Sequence, residues 1–250
     1  MNSASEKDSF SWMRSLKIIE HALKGILCLH SWKPPLVHRD LKSMNLLVDD
    51  NWNVKVRDWV SREANALGPS DRSRPRPAGR RLRSVSVHWR VADGDARQAP
   101  RHLRLHRPRG YVRLSLVVDS TQPLSCVNAV YHGAGFTPKA DIYSMSIIIW
   151  EVVVRCVTLA YQQPYSEYPQ LVFPFQIVIQ TAKNNMRPTI PNCPASVKAI
   201  IESCWAKEPE ARPSTQELLD RVRGLTKEYE TNREAWDAMK APPPKEEAKP

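Results

Sequence analysis

Apolar side chains recur along this chain with two different periods, and the periods divide it into elements. Ile18, Ile19, Ala22, Leu23, Ile26 and Leu27 fall three and four apart, the spacing of one face of a long helix. Leu46-Leu47-Val48 and Val54-Lys55-Val56 flank the turn formers Asp49-Asp50-Asn51, which predicts a short β-hairpin. Ile147 to Val154 is an almost unbroken apolar run, interrupted by Glu151 and followed by Arg155. It is too short to span a bilayer and reads as a buried core helix. Beyond it, prolines separate short amphipathic stretches: a loop over 164–169, a helix over 172–182, an extended connector over 187–191 and a helix over 196–206. Ser214 and Glu217 form a capping box that opens a last helix, with Leu218, Leu219, Val222 and Leu225 on one face.

Between these patterned stretches both periods fail, and the charge changes with them. Residues 61–118 hold 14 Arg, no Lys and 4 acids, while the rest of the chain holds 23 of the 37 basic residues and 22 of the 26 acids. Nearly all of the formal +11 therefore sits in one block, which also carries the run Arg74-Pro75-Arg76-Pro77. Such a composition matches disordered segments, whose apolar surface is too small to offset chain entropy. Clustered Arg also suits an arm for nucleic acid or acidic membrane, although only Trp89 and Tyr111 offer the aromatic platforms that single-strand binders use. A third origin, translation of a wrong reading frame or a retained intron, would give the same Arg bias between two Lys-bearing flanks. Five scattered Cys, none in C-x-x-C, argue against zinc and against a disulfide framework. With no basic n-region and apolar h-region at the start, the expectation is a cytoplasmic chain without a membrane span. The end beyond Lys227 alternates acids and bases and is expected to be solvated.

The densest chemistry lies in Val37-His38-Arg39-Asp40-Leu41-Lys42-Ser43-Met44-Asn45-Leu46-Leu47-Val48. An Asp can accept the proton of an attacking hydroxyl, a Lys two residues on can neutralise a transferring phosphoryl group, and an Asn five residues on can hold a metal ion. This run resembles the catalytic loop of the protein kinases. The resemblance implies Asp40 as catalytic base, Lys42 as the phosphate-side cation and Asn45 as a magnesium ligand, with His38 and Arg39 structural. Asp58 sits where the family's second metal-binding Asp belongs, but Trp59-Val60 follow it in place of Phe-Gly, and a β-branched residue is strained where the Gly turns. Phe136 to Ser146 resembles the family's D-x-Y/W-S-x-G segment, with Ser146 in place of Gly. There Asp141 would cap the following helix and brace the catalytic loop.

Cys204-Trp205 through Arg212-Pro213 resembles the C-W-x-x-x-P-x-x-R-P ending of tyrosine-kinase-like and tyrosine kinases, while Lys42-Ser43 is similar to Ser/Thr kinases. In the family the Arg at position 212 pairs with the Glu of an Ala-Pro-Glu motif missing here. Left alone in a buried site it would destabilise the lobe by about 3 to 5 kcal/mol.

The resemblance covers residues 10–60 and 136–228. It implies a mainly α fold: the helical C-terminal lobe of a kinase with a short β-hairpin at the catalytic loop and the ATP-clamping small lobe absent, since no G-x-G-x-x-G cluster or V-A-I-K strand precedes Asp40. The expected organisation is therefore a first lobe segment over 1–60, a disordered Arg/Pro-rich insert over 61–135, a second lobe segment over 136–228 and a disordered tail over 229–250. The implied activity is phosphoryl transfer from ATP with Mg2+ to Ser or Thr of a protein substrate, severely impaired in this chain. The alternative is a non-catalytic, pseudokinase-like module or kinase fragment that binds a partner protein. Nucleic acid enters only through residues 61–118.

Overall fold

A computed structural model describes residues 10–57, the backbone of 112–113, and residues 137–241. The Asp58 position, most of the Arg-rich block and residues 242–250 lie outside the described residues. The elements in chain order are α1 (Trp12–His30), β1 (Leu46–Val48), β2 (Val54–Val56), β3 (Val112–Arg113), α2 (Pro138–Thr158), α3 (Pro174–Asn184), α4 (Ala195–Cys204), α5 (Thr215–Thr231) and α6 (Arg233–Asp237).

The fold is mainly helical with one small sheet, consistent with a kinase-like domain. The apolar stripe that predicts α1 is its buried face: Ile18, Ile19, Ala22, Leu23 and Ile26 all enter the core, mainly against α5. Gly25 lies where α1 meets β2, and a Cβ there would come within 2.8 Å of Val56 Cγ2. The missing side chain is what lets helix and hairpin approach.

The hairpin pairs as the alternation predicts, Leu46 with Val56 and Val48 with Val54. Its turn is organised by the buried Asp49, whose Oδ1 accepts the amides of Asn51 and Asn53 at 2.9 and 2.8 Å. A third strand, β3, pairs antiparallel with β1 through Leu47↔Arg113 and Val48↔Val112. It comes from within the Arg-rich block, where Val112 offers too short an apolar stretch for a period to register.

Helix α2 is the centre of the core: every residue from Ala140 to Val154 is buried. Its hydrophobic run extends well beyond Ile147–Val154 because the small polar residues before it are satisfied internally, Ser144 by the Ala140 carbonyl and Ser146 by the Tyr143 carbonyl. The Thr137 backbone, not Asp141, stands at the N-cap, so the expected capping role of Asp141 is corrected: its carboxylate is turned to another loop. No helix among the described residues is long and apolar enough to cross a membrane.

The helix expected over 172–182 runs from Pro174 to Asn184, because proline fits the first turn, where no amide partner is needed. The Ser214–Glu217 capping box forms, Glu217 Oε2 accepting the Ser214 amide at 2.7 Å. A disordered tail from residue 229 is also corrected, as far as residue 241. Helix α5 continues to Thr231, α6 follows, and the buried Trp236 packs edge-on against Trp12 with ring centroids 5.0 Å apart. Trp12 Nε1 donates to the Trp236 carbonyl at 3.0 Å. One aromatic residue in a charged stretch supplies the burial that average composition hides.

Candidate functional site

The 37–45 loop joins α1 to β1, and its shape depends on a carboxylate far away in sequence. Arg39 adopts φ 65°, a left-handed conformation unfavourable for a side-chain-bearing residue. Asp141, fully buried near the start of α2, offsets that strain by accepting the His38 amide at 2.7 Å and the Arg39 amide at 3.1 Å. His30, near the end of α1, places Nε2 2.9 Å from the same carboxylate and Nδ1 2.6 Å from Thr215 Oγ1. Three helices thus converge on one loop.

His38 fixes the loop's other side. Its Nε2 lies 2.8 Å from the Arg57 carbonyl, which can only accept, so this nitrogen carries the hydrogen. Arg57 returns its own amide to the Asn45 carbonyl at 2.7 Å, tying the end of β2 to the loop.

On this frame Asp40, Lys42 and Asn45 come together. Asn45 Nδ2 donates to the Asp40 carbonyl at 2.5 Å and to Asp40 Oδ2 at 3.1 Å, while Lys42 Nζ stands 3.4 Å from Asp40 Oδ1. Asn45 is buried and Asp40 and Lys42 are part-exposed, so the amide is a fixed brace and the carboxylate and ammonium face solvent. A part-exposed ion pair of this kind adds little stability, about 0 to 1 kcal/mol. What the arrangement offers is a carboxylate held for proton transfer with a cation beside it.

Among the described residues no group of three or more His, Cys, Asp or Glu side chains could hold a metal ion. A site for magnesium would differ in kind, needing one or two oxygen ligands plus substrate phosphates. Asn45 fits this: its nitrogen is engaged by Asp40, so its oxygen remains as a hard acceptor. Asp58 lies outside the described residues.

Arg212 is buried, but not stranded. Its Nε, Nη1 and Nη2 donate to the carbonyls of Ala206, Lys139 and Lys207 at 2.8, 3.0 and 3.1 Å, and its guanidinium lies over the Tyr143 ring at 5.0 Å. The penalty expected for a lone buried guanidinium is corrected accordingly: backbone dipoles and a ring face satisfy it. Burial still lowers its pKa to about 10. Lys139 Nζ reciprocates by donating to the Arg212 carbonyl.

Sequence reasoning missed His30 and Thr215, which are 185 residues apart, and the environment of Glu151. His30 ends the α1 pattern and carried no signal of its own. Glu151, which the sequence presents as an interruption of an apolar run, is buried in α2 near Ser43. Burial pushes its carboxyl up to about 8, and the Ser43 hydroxyl opposes this only partly.

Residues 125–222 match the family Protein tyrosine and serine/threonine kinase. Stress-activated protein kinase alpha of Dictyostelium discoideum is 36% identical over 235 residues, 94% of this chain and 30% of that protein. A "Probable serine/threonine-protein kinase" of the same organism is 36% identical over 239 residues, covering 95% of this chain and 9% of its own length. Ankyrin repeat-containing protein kinase A, again of Dictyostelium discoideum, is 27% identical over 236 residues, 93% of this chain and 13% of the relative. The chain spans less than a third of the length of each of these relatives. Together the likenesses support the protein kinase superfamily, with serine/threonine kinases among the relatives.

Proposed function

We propose that the chain carries the large lobe of a tyrosine-kinase-like protein kinase whose ancestral reaction moves the terminal phosphoryl group of ATP to a serine or threonine hydroxyl. The observation that carries this reading is the Asp40–Lys42–Asn45 constellation on one braced loop. Cys204-Trp205 and Arg212-Pro213 favour the tyrosine-kinase-like group, and Lys42-Ser43 favours a hydroxyl of Ser or Thr over Tyr.

In this reading the Asp40 carboxylate accepts the hydroxyl proton as the oxygen attacks phosphorus, the new O–P bond forming as the bond to the ADP oxygen breaks. The Lys42 ammonium offsets charge on the phosphoryl oxygens. Asn45, with Asp58 by its place in the sequence, would hold the magnesium ion. Magnesium, when bound, neutralises phosphate charge and orients the leaving group. Asn45 also fixes the Asp40 carboxylate, so the proton acceptor is set before substrate arrives.

These 250 residues include no G-x-G-x-x-G cluster, and Trp59-Val60 stand where the family has Phe-Gly. We therefore propose that this stretch alone transfers phosphate far below the roughly 1 to 100 turnovers per second of protein kinases. Its affinity for magnesium-ATP is expected to be about millimolar, or about 4 kcal/mol of binding free energy. The same two features favour a second reading, a binding module that keeps kinase architecture without catalysis. The test is labelled-phosphate transfer from magnesium-ATP to a generic protein substrate by the purified chain and its Asp40→Asn variant. Slow transfer lost in the variant supports the ancestral site, and no transfer in either supports the binding module. A kinase-like rate would contradict the proposed impairment, and transfer unaffected by the variant would remove Asp40 from the reaction.

A further inference from the structure

Thr215 and His30 each stand at the end of a helix that does not need them there. At the start of α5 the cap is complete without Thr215: Ser214 Oγ accepts the Glu217 amide at 3.3 Å, and Glu217 Oε2 accepts the Ser214 amide at 2.7 Å. At the end of α1 the Leu27 carbonyl is met by the amide and the hydroxyl of Ser31, at 2.9 and 2.7 Å, and not by the His30 ring. The two side chains turn to each other instead. Thr215 Oγ1 lies 2.6 Å from His30 Nδ1, and both groups are buried, with 6% of the His30 side chain exposed. The far ring nitrogen, Nε2, meets Asp141 Oδ2, the same oxygen that accepts the His38 amide. A hydroxyl, an imidazole and a carboxylate thus stand in series between α5 and the 37–45 loop.

We propose that Thr215 is a positioning residue for that loop: its hydroxyl fixes the His30 ring, the ring fixes the Asp141 carboxylate, and the carboxylate holds the His38 and Arg39 amides in the turn that presents Asp40. Its part in phosphoryl transfer rests on the reading of Asp40 given above. An imidazole tied at one nitrogen can swing about its side-chain torsions, whereas one tied at both presents Nε2 at a single place. The carboxylate can only accept, so Nε2 carries a hydrogen. The Thr215 hydroxyl can give its own hydrogen to Nδ1 or take one from it, so it serves the ring with or without a charge. A valine at 215 would fill the same space and do neither. Thr215 is buried, so bulk water cannot stand in for a missing hydroxyl. The loop needs a rigid anchor, because Arg39 is kept at φ 65° and a slack carboxylate would let it relax.

The test compares the full chain with Thr215→Val, Thr215→Ser and His30→Ala by amide hydrogen exchange at His38 and Arg39. Thr215→Val should speed both amides about fivefold, the scale set by one hydrogen bond, while the amides of residues 147–154 keep their rates. Thr215→Ser, which keeps the hydroxyl, should restore the parent's rates. In a His30→Ala background Thr215→Val should add nothing, because the link is already cut. The proposal is overturned if Thr215→Val leaves His38 and Arg39 unchanged, if Thr215→Ser exchanges as fast as Thr215→Val, or if the His30 and Thr215 effects add. A rise spread evenly over all amides would also overturn it, since the hydroxyl would then serve stability alone. Labelled-phosphate transfer separates the link from the reading of Asp40. If transfer by the parent is lost in Asp40→Asn, Thr215→Val should lower kcat about fivefold with the KM for protein substrate unchanged, and an unchanged kcat would overturn the positioning role. Absence of Asp40-dependent transfer would contradict the reading of Asp40, and the exchange rates would still decide for or against the link.

Discussion

Helix α2 buries two carboxyl groups ten residues apart, Asp141 and Glu151, and surrounds them in opposite ways. Asp141 meets two backbone amides and the His30 ring, all within 3.1 Å. Among the described residues Glu151 has the Ser43 hydroxyl alone to favour its charge, and burial keeps it protonated up to about pH 8. The comparison teaches that on one buried helix the supply of fixed N–H donors decides what a carboxyl does. Where the 37–45 loop turns back its amides, the carboxyl becomes an anchor for the loop; where a single hydroxyl and no backbone amide faces it among the described residues, it keeps its proton and packs as a neutral group.

The largest effect should come from removing the anchor. Asp141→Ala leaves the His38 and Arg39 amides and His30 without their acceptor in a buried site, and a cost of about 3 to 5 kcal/mol is expected in urea unfolding. A cost below 1 kcal/mol would mean that the loop keeps its shape by other means and that the contrast with Glu151 is idle.

Glu151→Gln should act with the opposite sign and depend on pH. An unfolded chain releases this proton near the ordinary value of 4.5, whereas the folded chain holds it to about 8. The folded state binds more protons between those values, so native stability falls as pH rises from about 5 to about 8 and then levels off. Glutamine abolishes that slope. The variant should match the parent near pH 4.5 and exceed it at pH 8 by on the order of 4 kcal/mol. Parallel stability curves for the two proteins would show that Glu151 is charged in the fold after all.

A smaller change sharpens the comparison by sparing both carboxyls. Gly25→Ala gains helix propensity but drives a Cβ to within 2.8 Å of Val56, a stiff β-branched neighbour, and a net loss of about 1 kcal/mol is expected. Because neither carboxyl is touched, the pH slope assigned to Glu151 should survive unchanged. Adding Val56→Ala should relieve the clash, as a double-mutant cycle in urea would reveal.

Much of this could be read in the sequence, where the signal is local. The stripe of α1, the hairpin at 46–56 and the Ser214 capping box each depend on residues a few positions apart, and each forms where the spacing puts it. The Asp40–Lys42–Asn45 cluster was legible for the same reason, its three side chains lying within six residues. What escaped depends on distance. The His30–Thr215 contact spans 185 residues, and the carbonyls around Arg212 belong to a backbone path that composition does not encode. Trp236 escaped because one buried ring is invisible in a stretch judged by its average charge. Asp141 reads in the sequence both as a cap of its own helix and as a brace of the catalytic loop; the cap does not form and the brace does. Here the nearer demand came from a loop about a hundred residues earlier.

The central claim, that the Asp141 carboxylate rather than bulk packing of α2 holds the 37–45 loop, is tested most directly by amide hydrogen exchange at His38 and Arg39. In the parent chain both amides should be protected. Asp141→Asn, which nearly preserves volume but replaces a charged acceptor, should speed their exchange at least tenfold while leaving α1 unchanged, and Glu151→Gln should leave both rates as they were. Exchange at His38 and Arg39 that is equally slow in the parent and in Asp141→Asn would contradict the account.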